Sequence, residues 1–508
     1  MSAGPRGLPR ALAAWLVAAG VACAAATTCA AHESESPGLA AAPCRVPGIR
    51  TDVRCGVLRR PLDPARAESI GIDIHYLVVP ALARNKLPDP VLLLAGGPGQ
   101  SAVALAPHAM ALFSRLNNRR DIVFIDQRGT GRSASLACED AETEPIGDEL
   151  DTARQTALAL QCRDALAGLA HVGGVGGLRF FTTTLAVQDF DAVRRQLGAE
   201  RVNLVGGSYG TRVALEWMRQ APANVRRAVL DGVAPADMAL PASMSTDSQA
   251  AFDALFAACA AEVACARSHP DLPGRWRSLL ASLPREVRMA DPLSGRPVSV
   301  VLTRDALLGL IRGPLYSPAL AAALPAALAA AAEGRFEALA GLHAMQTTRR
   351  ALRPSIGMHF SVVCAEDVPR LGPPAAGGRD FGNAADDLYR RVCAQWPRGE
   401  VADAFYRLPA ATSAVLLLSG TLDPVTPPRH GERVAKALGP LARHLTVANA
   451  GHGILGIGCA RDVVQRFIEA DDDRSALAVD ASCLASLPRP PFFDLPSGTA
   501  DAPSPLPR

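Results

Sequence analysis

The chain has 508 residues, of which 49 % are hydrophobic and 20 % charged, so its length predicts about three domains and a sizeable buried core. The formal net charge is only +3, aromatic residues make up 5 %, and no basic run interleaved with aromatic residues occurs, which excludes nucleic acid as an expected partner. No C-x-x-C or H-E-x-x-H spacing occurs, so we expect neither a metal site nor a cofactor.

The first 31 residues are predicted to be a signal peptide. Arg6 and Arg10 precede the apolar stretch Ala11–Ala26, and small residues continue to Ala31. Alanine dominates this stretch rather than leucine or isoleucine, which favours a cleaved signal over a membrane anchor. No later stretch is long and apolar enough to predict a membrane span. We therefore expect an exported protein, periplasmic or secreted, with no membrane span in the mature chain.

The twelve cysteines agree with export. Cys23 and Cys29 fall within or next to the signal, and a lipid-anchored protein acylated on one of them stays open as an alternative. The remaining cysteines are even in number, which suggests disulfides in an exported chain. Sequence alone does not fix their connectivity, but they fall into local couples. The expected pairs are Cys44–Cys55, Cys138–Cys162, Cys259–Cys265, Cys364–Cys393 and Cys459–Cys483.

Short apolar segments predict strands in the first part of the chain. These strands are Gly71–Pro80, Val91–Ala95, Asp121–Asp126, Val202–Val205 and Arg227–Gly232. Helical periodicity lies between them, at Thr184–Leu197 and Thr211–Gln220. Short apolar strands that alternate with helices predict an α/β fold, with a mostly parallel sheet covered by helices on both faces.

The alternation of predicted strands and helices stops at about Met238, where an alanine-rich segment with helical patterns begins. We predict a helical cap insertion over residues 238–407. Its predicted helices are Ser248–Ala264, Thr303–Ile311, Ser317–Ala332 and Gly334–Met345. The insertion is expected to lie over the sheet and to restrict access to it.

The strand rhythm returns after the insertion. Strands are predicted at Ala414–Gly420 and His444–Ala448, and a final helix at Ala460–Ala470. The predicted core therefore consists of residues 32–237 and 408–487. Residues 488–508 are proline-rich and are predicted to form an extended tail.

The five residues Gly206–Gly210 fit the pattern G-x-S-x-G. They lie between a predicted strand and a predicted helix, which is the context in which this pattern marks a nucleophile elbow. Small neighbours let strand and helix approach closely while the serine adopts unusual backbone angles. The pattern alone is weak in a chain with 43 glycines and also fits an ordinary glycine-rich turn. In this context we interpret Ser208 as a catalytic nucleophile.

A serine hydroxyl needs a general base, and the base needs an orienting acid. In enzymes with such an elbow the order along the chain is serine, acid, histidine. Asp423 and His452 supply that order, and each lies just past the end of a predicted strand, where such sheets place functional residues. Asp231 is a rival acid because it also ends a strand, although it is equally suited to a turn or a helix cap.

Acyl transfer also requires N–H donors for the oxyanion. The N–H of Tyr209, directly after the nucleophile, is one candidate. The second is expected from the glycine loop Gly96–Gly99, with Gly97 as the best candidate and an ordinary turn as the alternative. Asp126 and Arg128 end the next strand, and we interpret them as ions that organise the loops.

Five spaced segments resemble the serine peptidases of the proline iminopeptidase and tripeptidyl aminopeptidase family of α/β hydrolases. They are AGGPGQS at 95–101, DQRGTGRS at 126–133, GGSYGT at 206–211, LLLSGTLDPVTPP at 416–428 and NAGHG at 449–453. The resemblance spans about Cys44–Phe493 and implies an α/β-hydrolase core. It also implies a serine exopeptidase that removes short pieces from peptide N-termini. Proline iminopeptidases usually carry histidine before GGPG, whereas Ala95 stands here, which is more similar to the tripeptidyl aminopeptidase branch and its exported relatives.

An exopeptidase must recognise a free amine, and carboxylates in the insertion are suited to that task. Glu366 and Asp367 are the candidates, because a disulfide at Cys364 would tether their segment. A solvated acidic turn is the alternative interpretation.

The leading hypothesis is an exported serine aminopeptidase, of tripeptidyl or prolyl type, that acts on peptides through Ser208, Asp423 and His452. A carboxylic-ester hydrolase with the same triad is the nearest alternative, since the same families contain esterases. A catalytically silent binding protein that kept the fold is the alternative from another class.

Overall fold

The computed structural model describes Met1 and residues 41–138, 146–347, 353–373 and 378–493. The predicted signal peptide after Met1, with Cys23 and Cys29, and the part of the predicted tail after Phe493 lie outside the described residues. Within the described residues, no helix is long and apolar enough to cross a membrane.

A nine-stranded sheet forms the centre of the molecule. The strands in the described residues are β1 (Ala42–Cys44), β2 (Val53–Pro61), β3 (Gly71–Val79), β4 (Val91–Leu94), β5 (Ile122–Ile125), β6 (Val202–Gly207), β7 (Val225–Asp231), β8 (Arg285–Ala290), β9 (Pro297–Leu302), β10 (Val415–Gly420) and β11 (Ala442–Val447). The order across the large sheet is β1-β2-β3-β5-β4-β6-β7-β10-β11. Strands from β5 to β11 in that order pair in parallel, whereas β1, β2 and β3 pair antiparallel to their neighbours.

The central strands are continuous apolar runs because helices cover both of their faces. Successive side chains of a strand point to opposite faces. Leu92 and Leu204 therefore join one buried cluster, while Val91 and Val205, their neighbours along the chain, join another on the opposite face. The predicted α/β fold with a mostly parallel sheet is confirmed.

Helices occupy the connections between the strands. They are α1 (Ala102–Phe113), α2 (Ile146–Leu150), α3 (Thr152–Ala167), α4 (Thr183–Gln196), α5 (Tyr209–Gln220), α6 (Leu240–Ala261), α7 (Val263–Ser268), α8 (Leu272–Ala281), α9 (Arg304–Leu315), α10 (Pro318–Ala321), α11 (Leu324–Ala332), α12 (Glu337–Thr347), α13 (Ile356–Glu366), α14 (Ala384–Cys393), α15 (Pro428–Leu438), α16 (Ala460–Glu469) and α17 (Asp473–Leu477). Helix α5 follows β6 directly, which places Ser208 between a strand and a helix as predicted.

The segment predicted as a helical insertion also contains an antiparallel hairpin, β8 with β9, which the prediction missed. In β8, Val287 and Met289 are buried and Arg288 between them is exposed. Such alternation is a strand signal, but here it extends over only six residues in a segment dominated by helical patterns.

The insertion contributes to two separate cores. Side chains from α6, α8, α9, α11 and the hairpin form a cluster of their own, which includes Phe252, Trp276 and Leu310. Met358 and Val362 of α13, with Trp396 after α14, instead join the cluster on one face of the sheet. The second half of the insertion therefore packs as part of the sheet's own core.

Five disulfides join the cysteines in the same local couples that the sequence suggested. They are Cys44–Cys55, Cys138–Cys162, Cys259–Cys265, Cys364–Cys393 and Cys459–Cys483. The bridge from Cys364 to Cys393 ties α13 to α14, which lie in the part of the insertion that packs on the sheet.

Candidate active site

Ser208 occupies a strained turn between β6 and α5, with φ 53° and ψ −123°. The glycines around it are required by close approach of backbone. A Cβ on Gly206 would lie 2.4 Å from the carbonyl oxygen of Gly210, and one on Gly210 would lie 2.0 Å from that of Leu94. Only glycine fits at these two positions, and strain of this kind concentrates at functional sites.

His452 and Asp423 form a hydrogen-bonded pair, with 2.8 Å between His452 Nδ1 and Asp423 Oδ2. The buried carboxylate is fully satisfied. Its Oδ1 accepts the N–H groups of Val425 and Thr426, both at 2.9 Å, and its Oδ2 accepts the Thr426 hydroxyl at 2.6 Å. A carboxylate that accepts the Nδ1 proton leaves Nε2 as the basic nitrogen of the ring.

The electrostatics of the pair follow from burial and from mutual attraction. Burial lowers the pKa of His452, but the charge and hydrogen bond of Asp423 and the charge of Asp231 outweigh it and raise this pKa above its ordinary value. Burial raises the pKa of Asp423, but the charge and hydrogen bonds of His452 and Thr426 outweigh it, so the carboxyl titrates below its ordinary range.

Ser208 and His452 each lie close to the backbone at the end of β7. The Ser208 N–H donates to the carbonyl oxygen of Asp231 at 2.8 Å. At the next residue, a Cβ on Gly232 would lie 3.1 Å from Cε1 of His452. Among the described residues the Ser208 hydroxyl has no hydrogen-bond acceptor, and catalytic hydrogen bonds of this kind are often long until a substrate is bound.

Asp231 supports the histidine loop and does not bond the imidazole. Both of its carboxylate oxygens accept the N–H of Ile454 at 2.8 Å, and one also accepts the N–H of Leu455 at 2.9 Å. Burial raises the pKa of Asp231 to about 6, against the lowering effect of these two N–H groups and of His452. Of the two candidate acids, Asp423 therefore bonds the imidazole ring, whereas Asp231 bonds the backbone of the loop.

Of the two expected oxyanion donors, Tyr209 follows the serine directly and Gly97 lies in a loop that approaches it. Tyr209 is the first residue of α5, and the loop that contains Gly97 approaches so closely that a Cβ on Gly96 would lie 3.3 Å from Cβ of Ser208. Gly97 is exposed and has φ +110°. Within the described part of the chain, neither N–H donates to another protein group, so both are free to bind a ligand oxygen.

Three residues of the insertion contact these loops, and sequence reasoning found none of these contacts. The carbonyl oxygen of Tyr316 accepts the N–H of His452 at 2.9 Å, and the ring of Tyr316 lies edge-on to the imidazole at 5.1 Å. The Ser355 N–H donates to the Gly99 carbonyl at 2.8 Å. His359 Nδ1 lies 3.2 Å from the Pro98 carbonyl oxygen. Tyr316 follows the last residue of α9, Ser355 precedes the first residue of α13, and His359 lies within α13. Sequence periodicity carries no signal for a partner that is distant in the chain.

Glu366 and Asp367 are internal, which contradicts the expected role in amine binding. Their exposed fractions are 1 % and 0 %. Arg212 binds Asp367 through two hydrogen bonds of 2.9 and 3.0 Å, and Glu366 accepts the N–H of Thr183 at 2.7 Å and its hydroxyl at 2.8 Å. The sequence could not reveal this cluster, because Arg212 lies more than 150 positions before its partners.

The same cluster extends to the side chain next to the nucleophile. The buried hydroxyl of Tyr209 lies 2.6 Å from Oγ1 of Thr183 and accepts a hydrogen bond of 3.0 Å from Gln127. Burial raises the pKa of Tyr209, so its hydroxyl stays neutral. Burial also raises the pKa of Glu366 to about 7, although Arg212 opposes the rise. The nucleophile elbow is therefore tied through hydrogen bonds to helix α13 of the insertion.

Asp126 and Arg128 have the loop-organising contacts that were expected of them. The Asp126 carboxylate accepts the Ser101 hydroxyl at 2.6 Å and the Val103 N–H at 3.1 Å, at the start of α1. Arg128 binds Asp189 through two hydrogen bonds of 2.7 and 3.0 Å. Neither side chain contacts the serine or the histidine.

Two family models match the chain. Residues 89–258 match the model described as alpha/beta hydrolase fold, and residues 379–473 match the model described as TAP-like protein. The first region contains Ser208, and the second contains Asp423 and His452.

Three relatives illustrate the range of named activities. The chain is 26 % identical over 459 residues to the serine protease Hip1 of Mycobacterium tuberculosis, which covers 82 % of this chain and 84 % of that protein. It is 28 % identical over 194 residues to the tripeptidyl aminopeptidase of Streptomyces lividans, and the match covers 36 % of this chain and 35 % of that protein. It is 28 % identical over 431 residues to carboxylesterase B of Mycobacterium tuberculosis, and the match covers 77 % of this chain and 79 % of that protein.

Proposed function

We propose that this chain, a serine hydrolase of the proline iminopeptidase and tripeptidyl aminopeptidase family of α/β hydrolases, removes short units from the N-terminus of peptides. The proposed catalytic groups are Ser208, Asp423 and His452, with the N–H groups of Gly97 and Tyr209 as oxyanion donors. The observation that carries the proposal is the 2.8 Å bond from His452 to the buried Asp423, beside a serine held at φ 53°.

In this mechanism His452 Nε2 removes the proton from Ser208 Oγ, which attacks the carbonyl carbon of the scissile bond. The carbonyl oxygen becomes an oxyanion between the two N–H donors. When the tetrahedral intermediate collapses, His452 returns the proton to the leaving amine and an acyl-enzyme remains. Water then attacks the acyl-enzyme, again with His452 as the base, and releases the new carboxylic acid.

Asp423 is proposed to hold the Nδ1 proton and to stabilise the imidazolium that forms during attack. Its lowered pKa keeps it ionised while His452 gains a proton. Asp231 is proposed to be a positioning residue, because it fixes the backbone of Ile454 and Leu455 just after the histidine.

Export is the proposed setting for this activity. The described residues contain five disulfides, and disulfides persist in oxidising compartments such as the bacterial periplasm. The predicted signal peptide supports the same location. Lipid anchoring through Cys23 or Cys29 stays an alternative within this proposal.

A carboxylic-ester hydrolase is the second candidate, because a relative named carboxylesterase B matches 77 % of the chain. The same triad would then release an alcohol instead of an amine. Free and acetylated peptides, tested beside short-chain 4-nitrophenyl esters, separate the two functions.

The decisive experiment is a mass-spectrometric screen of a peptide library digested with the wild type and with Ser208→Ala. An aminopeptidase releases short N-terminal fragments from free peptides and leaves acetylated ones intact. Ser208→Ala should lower kcat by a factor on the order of 10⁶ and abolish labelling by a fluorophosphonate. Equal cleavage of free and acetylated peptides would reject the exopeptidase, and an unlabelled Ser208 in the folded wild type would revive the silent binding protein.

A further inference from the structure

Arg312 lies one helical turn before Tyr316, the residue whose carbonyl and ring contact His452. It belongs to α9, and residues four positions apart lie on the same face of a helix. The guanidinium is half-buried, and its nearest described partner is the thioether sulfur of Met244, 3.4 Å from one terminal nitrogen.

No carboxylate lies within ion-pairing distance of Arg312 among the described residues. The contrast with other buried arginines is clear. Arg128 and Arg212 each bind an aspartate through two hydrogen bonds. A cation that is partly removed from water without an anionic partner is unfavourable, and this cost is offset when an anion binds.

The charge of Arg312 reaches three side chains, His359, Tyr316 and Tyr389, near the histidine loop and the glycine loop. Its charge lowers the pKa of His359, adding to the larger effect of burial, and His359 contacts the carbonyl of Pro98 in the glycine loop. Burial raises the pKa of Tyr316 and that of Tyr389, and the Arg312 charge opposes both increases. Arg312 therefore acts on residues at the histidine loop and at the glycine loop together.

The nearby acidic groups do not cancel this charge. The charge of Asp367 also reaches His359 and Tyr389, but Asp367 is held by Arg212 through two hydrogen bonds. Asp423 is bonded to His452. No ion pair among the described residues therefore neutralises Arg312, and such a guanidinium disfavours a substrate amine and favours an anion.

We propose that Arg312 forms a carboxylate-binding subsite of the catalytic cleft and determines which peptides are cleaved. The proposal rests on the peptidase function proposed above. A planar guanidinium matches a carboxylate through paired hydrogen bonds, so a substrate carboxylate is the ligand that its chemistry selects. That carboxylate comes either from an acidic side chain or from the C-terminus of a short peptide, and the amine end of the substrate lies away from Arg312.

The test uses hexapeptides with a free N-terminus in two matched series. In one series a single position carries glutamate or glutamine, and in the other the C-terminus is a carboxylate or a carboxamide. For each pair, kcat/KM is measured with the wild type, Arg312→Met and Arg312→Lys. Arg335→Met is the control, because Arg335 is an exposed arginine of the insertion that pairs with Glu333. Thermal unfolding of each variant verifies its fold.

The wild type should prefer the carboxylate member of at least one series by about ten- to hundred-fold, the range expected for hydrogen bonds to a charged group. Arg312→Met should bring that ratio close to one, Arg312→Lys should retain part of it, and Arg335→Met should keep all of it. The series that shows the preference identifies the source of the carboxylate. A wild-type ratio near one in every series, or a preference that survives Arg312→Met, overturns the proposal.

Failure of the peptidase function is distinguished by a parallel ester pair, 4-nitrophenyl hydrogen succinate and 4-nitrophenyl butyrate. If only esters are hydrolysed, the peptidase function fails, while the succinate-to-butyrate ratio in wild type and Arg312→Met still decides the role of Arg312. If neither peptides nor esters are hydrolysed, the role of Arg312 is decided by calorimetry. The affinity of each hexapeptide pair is measured for Ser208→Ala and for Ser208→Ala/Arg312→Met, and the preference for the carboxylate member should be lost in the second.

Discussion

Both carboxylate oxygens of Asp231 accept the backbone N–H of Ile454, each at 2.8 Å. The bonded residue lies two positions after His452, so Asp231 fixes the loop that carries the imidazole. Asp423 bonds the imidazole itself. Two buried acids at the ends of neighbouring strands thus serve one histidine in different ways, and substitutions should separate them.

Asp423→Asn should lower kcat by about 10⁴, because an amide favours the wrong histidine tautomer. Asp231→Asn should lower kcat less, since an asparagine oxygen still accepts one N–H of the loop. Asp231→Asn should mainly lower the free energy of unfolding, because a buried N–H donor left without an acceptor costs about 1–3 kcal/mol. Steady-state kinetics and urea unfolding of the two variants provide the comparison. A larger loss of kcat in Asp231→Asn would show that the acid has been assigned to the wrong residue.

Activity should decline on the acid side as His452 becomes protonated, because the base must be neutral to accept the serine proton. The pKa of His452 is raised by Asp423, so the midpoint of kcat/KM against pH should lie above the ordinary histidine value of about 6.5. Because this pKa is raised in the folded protein, the interaction of His452 with Asp423 stabilises the fold at pH values below about 6.5. This stabilisation is lost as the pH rises through the raised pKa of His452.

Asp423→Asn removes the main source of the shift and should move the acid limb of the profile to lower pH. The measurement is kcat/KM from pH 5 to 9 for both proteins. A flat wild-type profile between pH 5 and 8 would contradict the assignment of His452 as the base.

Much of this architecture could be predicted because its signals are local. Strand and helix patterns, the elbow at Ser208 and the chain order of Asp423 and His452 each depend on a few consecutive residues. Contacts across the chain could not be predicted in the same way. The acidic pair Glu366 and Asp367 looks like a surface turn in one dimension, and only the fold brings Arg212 to it.

The ion cluster of Arg212 with Glu366 and Asp367 should be a major determinant of stability. Arg212→Met leaves two buried carboxylates without their cation and should lower the free energy of unfolding by about 3–5 kcal/mol. The triple variant with Glu366→Gln and Asp367→Asn should recover much of the loss, since it removes the unpaired charges as well.

Urea unfolding at pH 8, where Glu366 of the wild type with its pKa of about 7 is largely ionised, compares both variants with the wild type. Arg335→Met is the control, because its ion pair with Glu333 is exposed, and it should unfold like the wild type. If Arg212→Met unfolded at the wild-type urea concentration, the cluster would not be a structural ion network.

Gly207 and Gly210, which lie on either side of Ser208 in the elbow, should respond very differently to substitution by alanine. A Cβ on Gly210 would lie 2.0 Å from the Leu94 carbonyl oxygen, which belongs to a buried strand that cannot move away, whereas a Cβ on Gly207 meets no atom within 4 Å. Gly210→Ala should therefore separate α5 from β4, lower the thermal unfolding midpoint and displace the serine. Gly207→Ala should unfold like the wild type. Equal midpoints for Gly210→Ala and Gly207→Ala, in thermal unfolding followed by circular dichroism, would show that close packing of strand and helix does not hold Ser208 in its strained conformation.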